Sequence, residues 1–196
     1  KILVTGGAAL NLGSATNSRG ASWGSQGTIV FAPTTAAPLQ QVLDAGGAAQ
    51  PLTRLEKAET THRWPEFLPG GEAVLFAAGS GQASSQIAVY SYSTGERRTL
   101  IPSGTHPRYA PSGHLIYVQE GTLMAAPFDA ARLEVTGTPV PVVEGVLQSV
   151  GNGDAQYTVS TNGSLVYIPG GIEATQRKMI WVDRKGVEQS LSAQAR

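Results

Sequence analysis

The stretch THRWPEFLPGG (residues 61–71) decides how this chain is read, because versions of it recur. It divides into a short strand, Trp64–Phe67, a tight Pro/Gly turn, Leu68–Gly71, and a second strand, EAVLF, at Glu72–Phe76. THPRYAPSGHLIYV (105–118) and DAQYTVSTNGSLVYI (154–168) repeat that plan, and ASWGSQGTIVF (21–31) repeats it more loosely. Superposing the turn glycines Gly27, Gly71, Gly113 and Gly163 aligns Phe31, Phe76, Tyr117 and Tyr167, within one residue, at the ends of the second strands. It also stacks Trp23, Phe67, Tyr109 and Val159 in the first strands. The glycine spacings are 44, 42 and 50 residues. A self-similar period of roughly 40–50 residues, with short strands and Gly-rich turns, marks a β-propeller in which each period is one four-stranded blade. The expectation is an all-β β-propeller of about four blades, near 21–55, 62–101, 105–144 and 154–192, in a single domain over 1–196.

Composition narrows the function classes. Fourteen basic and fourteen acidic residues cancel, and no basic stripe points to nucleic acid or an anionic membrane. The 24 glycines and 12 prolines among 196 residues suit a turn-dense β protein. There is no cysteine, so disulfide frameworks and cysteine-based metal or nucleophile sites are excluded. No apolar run approaches the roughly 20 residues of a membrane span.

Taken in order, the chain offers two misleading motifs. KILVTGGAALNLGS (1–14) imitates the opening strand and glycine loop of a dinucleotide-binding fold, in which glycines hold a pyrophosphate at a helix N-terminus. The Gly/Ser/Asn-rich stretch that follows has no amphipathic helix, so no nucleotide cofactor is expected and Ile2–Thr5 is read as an extra outer strand. Gly20–Gly24 spells G-x-S-x-G, but Ser22 falls in a blade's first strand with no helix after it, which a nucleophile elbow needs. Ser103 and Ser112 likewise lack a base and an orienting acid in register. In blade two, Ile87 and Val89 alternate with Ala88, Tyr90 and Tyr92, as in a strand packed on both faces. Pro139 and Pro141 mark the last strand of blade three, 138–143, as an outer edge. Blade four is read with outer strands at 178–183 and 187–191, and Asn162-Gly163 as a hairpin turn rather than a glycosylation site. Four blades sit at the bottom of the closed range. The array is therefore either part of a longer propeller or one half of a homodimer that closes the ring.

HRWPEFLPGG, GTHPRYAPSGHLIYVQEGTLMAAPFDAARLEVTGTPVPVVEGV, YTVSTNGSLVYIPG and MIWVDRKGVEQSL resemble the TolB-like (WD40-like) propeller repeats. In particular they are similar to the propeller that follows the membrane span of many bacterial Ser/Thr protein kinases. The resemblance covers about residues 20–192 and is most specific in the third blade. It implies an extracytoplasmic module that binds a small-molecule or protein ligand at the propeller funnel. The kinase signatures are absent, so no kinase activity carries over.

The same alignment sets Asp154 opposite His62, and Gln156 and Trp64 opposite His106. The two sets lie two residues apart, which keeps all of them on one strand face, towards the axial opening. Two readings follow. In the first, these residues are structural or recognise a ligand. In the second, His62, His106 and Asp154 hold a divalent metal, zinc first, and its bound water hydrolyses phosphotriesters or aryl esters. Glu59 and Glu66 are nearby candidates for a further ligand or a base. His114 is expected at the surface, and Trp23 and Trp64 in the core.

Overall fold

In the computed structural model the described residues are 1–80, 85–149, 151–172, 180–182 and 188–190. Every element among them is a β-strand. Blade one is β1 (Ala21–Trp23), β2 (Thr28–Phe31), β3 (Gln40–Leu43) and β4 (Gln50–Pro51), antiparallel in that order. Blade two is β5 (Thr61–Phe67), β6 (Ala73–Gly79), β7 (Ser85–Ser91) and β8 (Arg97–Ile101). Blade three is β9 (Thr105–Ala110), β10 (His114–Gln119) and β11 (Thr122–Asp129), with its fourth position split between β12 (Glu134–Val135) and β13 (Val140–Val143). Pro141 sits opposite Met124 beside a register shift in that outer edge, where its missing N–H costs no ladder bond. Blade four shows β14 (Tyr157–Val159) paired with β15 (Leu165–Tyr167). Its expected outer strands fall partly outside the described residues. Within them, β16 (Ile180–Val182) pairs with β17 (Glu188–Ser190).

The turn chemistry explains the hairpins. Gly27, Gly71, Gly113 and Gly163 all take positive φ, between 78° and 85° for the second, third and fourth, a region that residues with a Cβ resist. The N-terminal segment differs from expectation. Residues 2–5 form no strand; the Gly6 N–H bonds Leu3 O and the Leu10 N–H bonds Lys1 O, closing the segment on itself. Blade one has its four strands without it.

Strand alternation builds one apolar layer between each pair of blades. On β6, Val74, Phe76 and Ala78 face blade one with Val30 and Leu39, while Leu75 and Ala77 face blade three with Leu115 and Tyr117. On β10, Leu115 and Tyr117 face back, and Ile116 and Val118 face Val146 and Tyr157 of blade four. Each fully buried side chain of this size contributes about 1.5–3 kcal/mol. The blades therefore cohere face to face, with β1, β5, β9 and β14 innermost and adjacent.

The innermost strands share one irregularity. Trp64 and His106 both have φ of 54°, each just before a proline, and a register shift accompanies each. Gly20 (φ 98°) holds the same position in blade one. The extra residue makes a bulge that resets the alternation of the strand.

Candidate functional site

After the bulge, each innermost strand runs straight into its hairpin. Trp23, Phe67, Tyr109 and Val159 pair with Ile29, Val74, Leu115 and Leu165, so they stand at the same height on four blades. Together they line one concavity of about 560 Å³, floored by the hairpin residues Pro69 and Pro111. Two of the rings are braced from behind. Phe67 stacks on Tyr92 at 6.2 Å, and Tyr109 meets Phe128 edge-on at 6.3 Å. Trp23, expected in the core, is 54% exposed. The Lys1 ammonium lies over its ring at 5.2 Å.

The residue just before each aromatic clamps neighbouring blades. Ser22 Oγ accepts the Phe67 N–H at 3.0 Å, and Glu66 Oε1 accepts the Tyr109 N–H at 2.8 Å. Ser22 is therefore committed to a backbone bond, as the absence of an elbow helix implied. Glu66 Oε2 pairs with Arg108 at 3.1 Å. Burial nevertheless outweighs Arg108 and the Tyr109 bond, and pushes the Glu66 carboxyl up.

His62 turns away from the axis, into the layer between blades one and two. It is fully buried and lies 4.8 Å from the Phe76 ring. Thr53 accepts the Leu39 N–H at 2.9 Å and lies 2.7 Å from His62 Nδ1, and Glu59 lies 3.1 Å from Nε2. An ionised carboxylate can only accept, so Nε2 carries the proton and Nδ1 accepts from the Thr53 hydroxyl. Burial pushes the His62 pKa down against the pull of Glu59. Burial also acts to raise Glu59, but bonds from Arg97, the Glu56 N–H and His62 win and hold it at about 2. Arg97 grips both Glu59 oxygens at 2.7 Å.

His106 lies beside the axis. Its ring stacks on Trp64 (5.0 Å, 16°) and tilts against Tyr157, whose hydroxyl reaches the His106 and Ile116 carbonyls. Arg108 Nη2 lies 2.9 Å from His106 Nε2, and Nδ1 meets both the Ala155 N–H at 3.2 Å and Asp154 Oδ1 at 3.1 Å. Burial and then the Arg108 charge hold His106 below its usual range, outweighing Asp154. Asp154 would rise by burial, but His106, Gln156 (2.8 Å) and Arg108 hold it down.

The structure thus joins His106 to Asp154 and gives His62 to a different network. Glu59 and Glu66 also divide, one to each. Both nitrogens of both rings face partners, and an arginine stands at the Nε2 of each: Arg97 at 3.4 Å from His62, Arg108 on His106. Among the described residues no three His, Asp or Glu side chains are grouped to hold a metal ion. Zinc held jointly by His62, His106 and Asp154 does not fit this donor arrangement. His114 is half-exposed, bonded to Ser112 within its own turn. Sequence reasoning missed Thr53, Arg97 and Arg108. Only Arg108 had a visible signal, as the counterpart of Glu66 in the aligned repeats.

No family model matches the chain, and no curated protein does. Solved structures do match. A protein named as a gluconolactonase aligns at TM-score 0.56 and 13% identity, over 78% of this chain and 57% of its own. TolB from Acinetobacter baumannii aligns at TM-score 0.54 and 20% identity, over 87% of this chain and 42% of its own. A streptogramin B lyase aligns at TM-score 0.50 and 13% identity, over 92% and 56%. The chain therefore spans about half the length of these structures. At such identities the likeness is one of architecture, and in architecture this chain is a β-propeller.

Proposed function

We propose that this chain is a ligand- or partner-binding propeller module whose ligand seats at the mouth framed by Trp23, Phe67, Tyr109 and Val159. The observation that carries the reading is their shared register: four blades deliver one apolar side chain each to a single concavity of about 560 Å³. Aromatics braced by Tyr92 and Phe128 lose little freedom on binding, which favours recognition of an apolar anchor on a peptide or small molecule. We place the module outside the cytoplasm, on its resemblance to receptor-kinase propellers. The alternative, a metal-dependent phosphotriester or aryl-ester hydrolase, needs His62, His106 and Asp154 to share one ion. Their division between two networks gives it no geometric support.

A displayed random-peptide library, panned against the chain and against Phe67→Ser/Tyr109→Ser, tests the proposal. Selected peptides should carry an apolar anchor and lose at least tenfold in affinity for the double variant, as expected when central aromatic contacts are removed. Peptides that bind both proteins equally would place recognition elsewhere and overturn it.

A further inference from the structure

The far end of the same innermost strands carries a different chemistry. Arg19 and Arg63 stand one residue before the aligned positive-φ residues Gly20 and Trp64 and four before Trp23 and Phe67, so they occupy equivalent positions on blades one and two. The two strands touch there: the Trp64 N–H donates to Arg19 O at 2.7 Å. The equivalent places on blades three and four hold Thr105 and Ala155, so the positive charge is local to this side of the axis.

Both guanidiniums lack a counter-ion. Arg63 spans the axial opening, donating from Nε to Thr61 Oγ1 (3.1 Å), from Nη1 to Asn152 O (3.0 Å) and from Nη2 to Thr35 O (3.2 Å). Arg19 donates from Nη1 to Asn17 Oδ1 (2.6 Å) and Ser18 O (3.1 Å). Every one of these acceptors is neutral. Among the described residues no carboxylate lies within 4.0 Å of either arginine. The nearby axial carboxylates are already taken, Glu66 by Arg108 and Asp154 by His106.

A second observation points the same way. Among the described residues two buried side-chain polar atoms have no hydrogen-bond partner, Arg19 Nε and Trp64 Nε1. Both are N–H donors, and both belong to residues at or beside the aligned positive-φ residues of blades one and two. Half-buried cations and buried orphan donors are each costly, and both costs call for an acceptor with negative charge. Burial lowers the Arg63 pKa, with the neighbouring Arg19 charge adding to it.

We propose that Arg19 and Arg63 form an oxyanion-binding site at the end of the propeller opposite the aromatic mouth. The site takes a carboxylate or phosphate group, which would lie between the two guanidiniums and accept from their unused N–H groups. Arg19, Asn17 and Asn152 reach solvent, so the group can enter from outside.

Calorimetric titration at low ionic strength with inorganic phosphate and, separately, with succinate tests the site and tells the two oxyanion sources apart. One saturable site for at least one of them is expected, with affinity falling roughly tenfold or more in Arg19→Gln. Arg132→Gln, which removes an exposed arginine paired with Glu134, should leave that affinity unchanged. Arg63 ties blades together, so Arg63→Lys, which keeps the charge and loses the fork, is paired with a urea midpoint to confirm folding. It should also weaken binding. Absence of saturable binding to both probes, or equal weakening by Arg19→Gln and Arg132→Gln, overturns the assignment. Peptide binding at the aromatic mouth should persist in Arg19→Gln, so failure of one site is read independently of the other.

Discussion

Glu66 reaches out of blade two and accepts the backbone N–H of Tyr109 in blade three at 2.8 Å, while its other oxygen pairs with Arg108. Ser22 makes the corresponding bond to Phe67 one blade earlier. Glu66→Ala takes the acceptor from a part-buried N–H and the only paired carboxylate among the described residues from Arg108, and should destabilise the fold by about 2–3 kcal/mol. Ser22→Ala should cost about 1 kcal/mol. Glu66→Gln keeps an acceptor for Tyr109 and should fall between them. Urea denaturation of the three variants checks the order. If Glu66→Ala proves as stable as wild type, the clamp contributes nothing.

Glycine replacements should separate two costs. Gly113→Ala meets no atom nearer than 3.9 Å and carries only the backbone penalty of φ 79°, about 1 kcal/mol. Gly20→Ala adds a Cβ 3.0 Å from the Trp64 ring and 3.1 Å from its Cα, on top of φ 98°. Its cost should reach about 2 kcal/mol or more. Equal midpoints for the two variants would show that blades one and two do not approach as closely as described.

Acid should loosen the propeller before its carboxylates titrate. His62 and His106 both have folded pKa values lowered from 6.5. The unfolded chain therefore takes up protons first, and stability that is complete above pH 6.5 drains away as pH falls below it. Glu59, held at about 2 against 4.5 in the unfolded chain, adds a second loss below pH 4.5. Urea midpoints should drop between roughly pH 7.5 and 5.5, and His106→Gln should flatten part of that slope. A midpoint constant over this range would mean that neither ring's pKa changes on folding.

The end blades should meet a second copy. Leu43 on blade one and Val166 on blade four are 59% and 64% exposed, and Tyr167 and Ile168 add to the uncovered apolar surface. Two chains joined blade one to blade four would bury it at an interface well above ~1,200 Å². Light scattering should return twice the 20.4 kDa chain mass at micromolar concentration. A single-chain mass with these faces still exposed would contradict the closure.

The repeat was readable because turn glycines and strand-end aromatics recur for a physical reason, positive φ in one case and inter-blade packing in the other. The height of Trp23, Phe67, Tyr109 and Val159 followed directly from that alignment. What those rings do did not follow, because a repeat does not show which of its rings stays uncovered, and Trp23 does. The metal reading assumed that His62 and Trp64, two residues apart, share a face. A bulge at a non-glycine residue has no fixed sequence mark. With it, His62 packs towards blade one and Trp64 towards blade three. The proline after both Trp64 and His106 was the one available hint.

The bulges at Trp64 and His106 divide β5 and β9 into two lengths with independent phase. Upstream, a side chain is answerable to the adjoining blades, as His62 is to Thr53 and Arg97. Downstream, a side chain such as Phe67 or Tyr109 answers to whatever occupies the mouth. Substitutions that retune recognition can accumulate in one length without disturbing adhesion in the other, so a single short strand serves as both hinge-pin and palate.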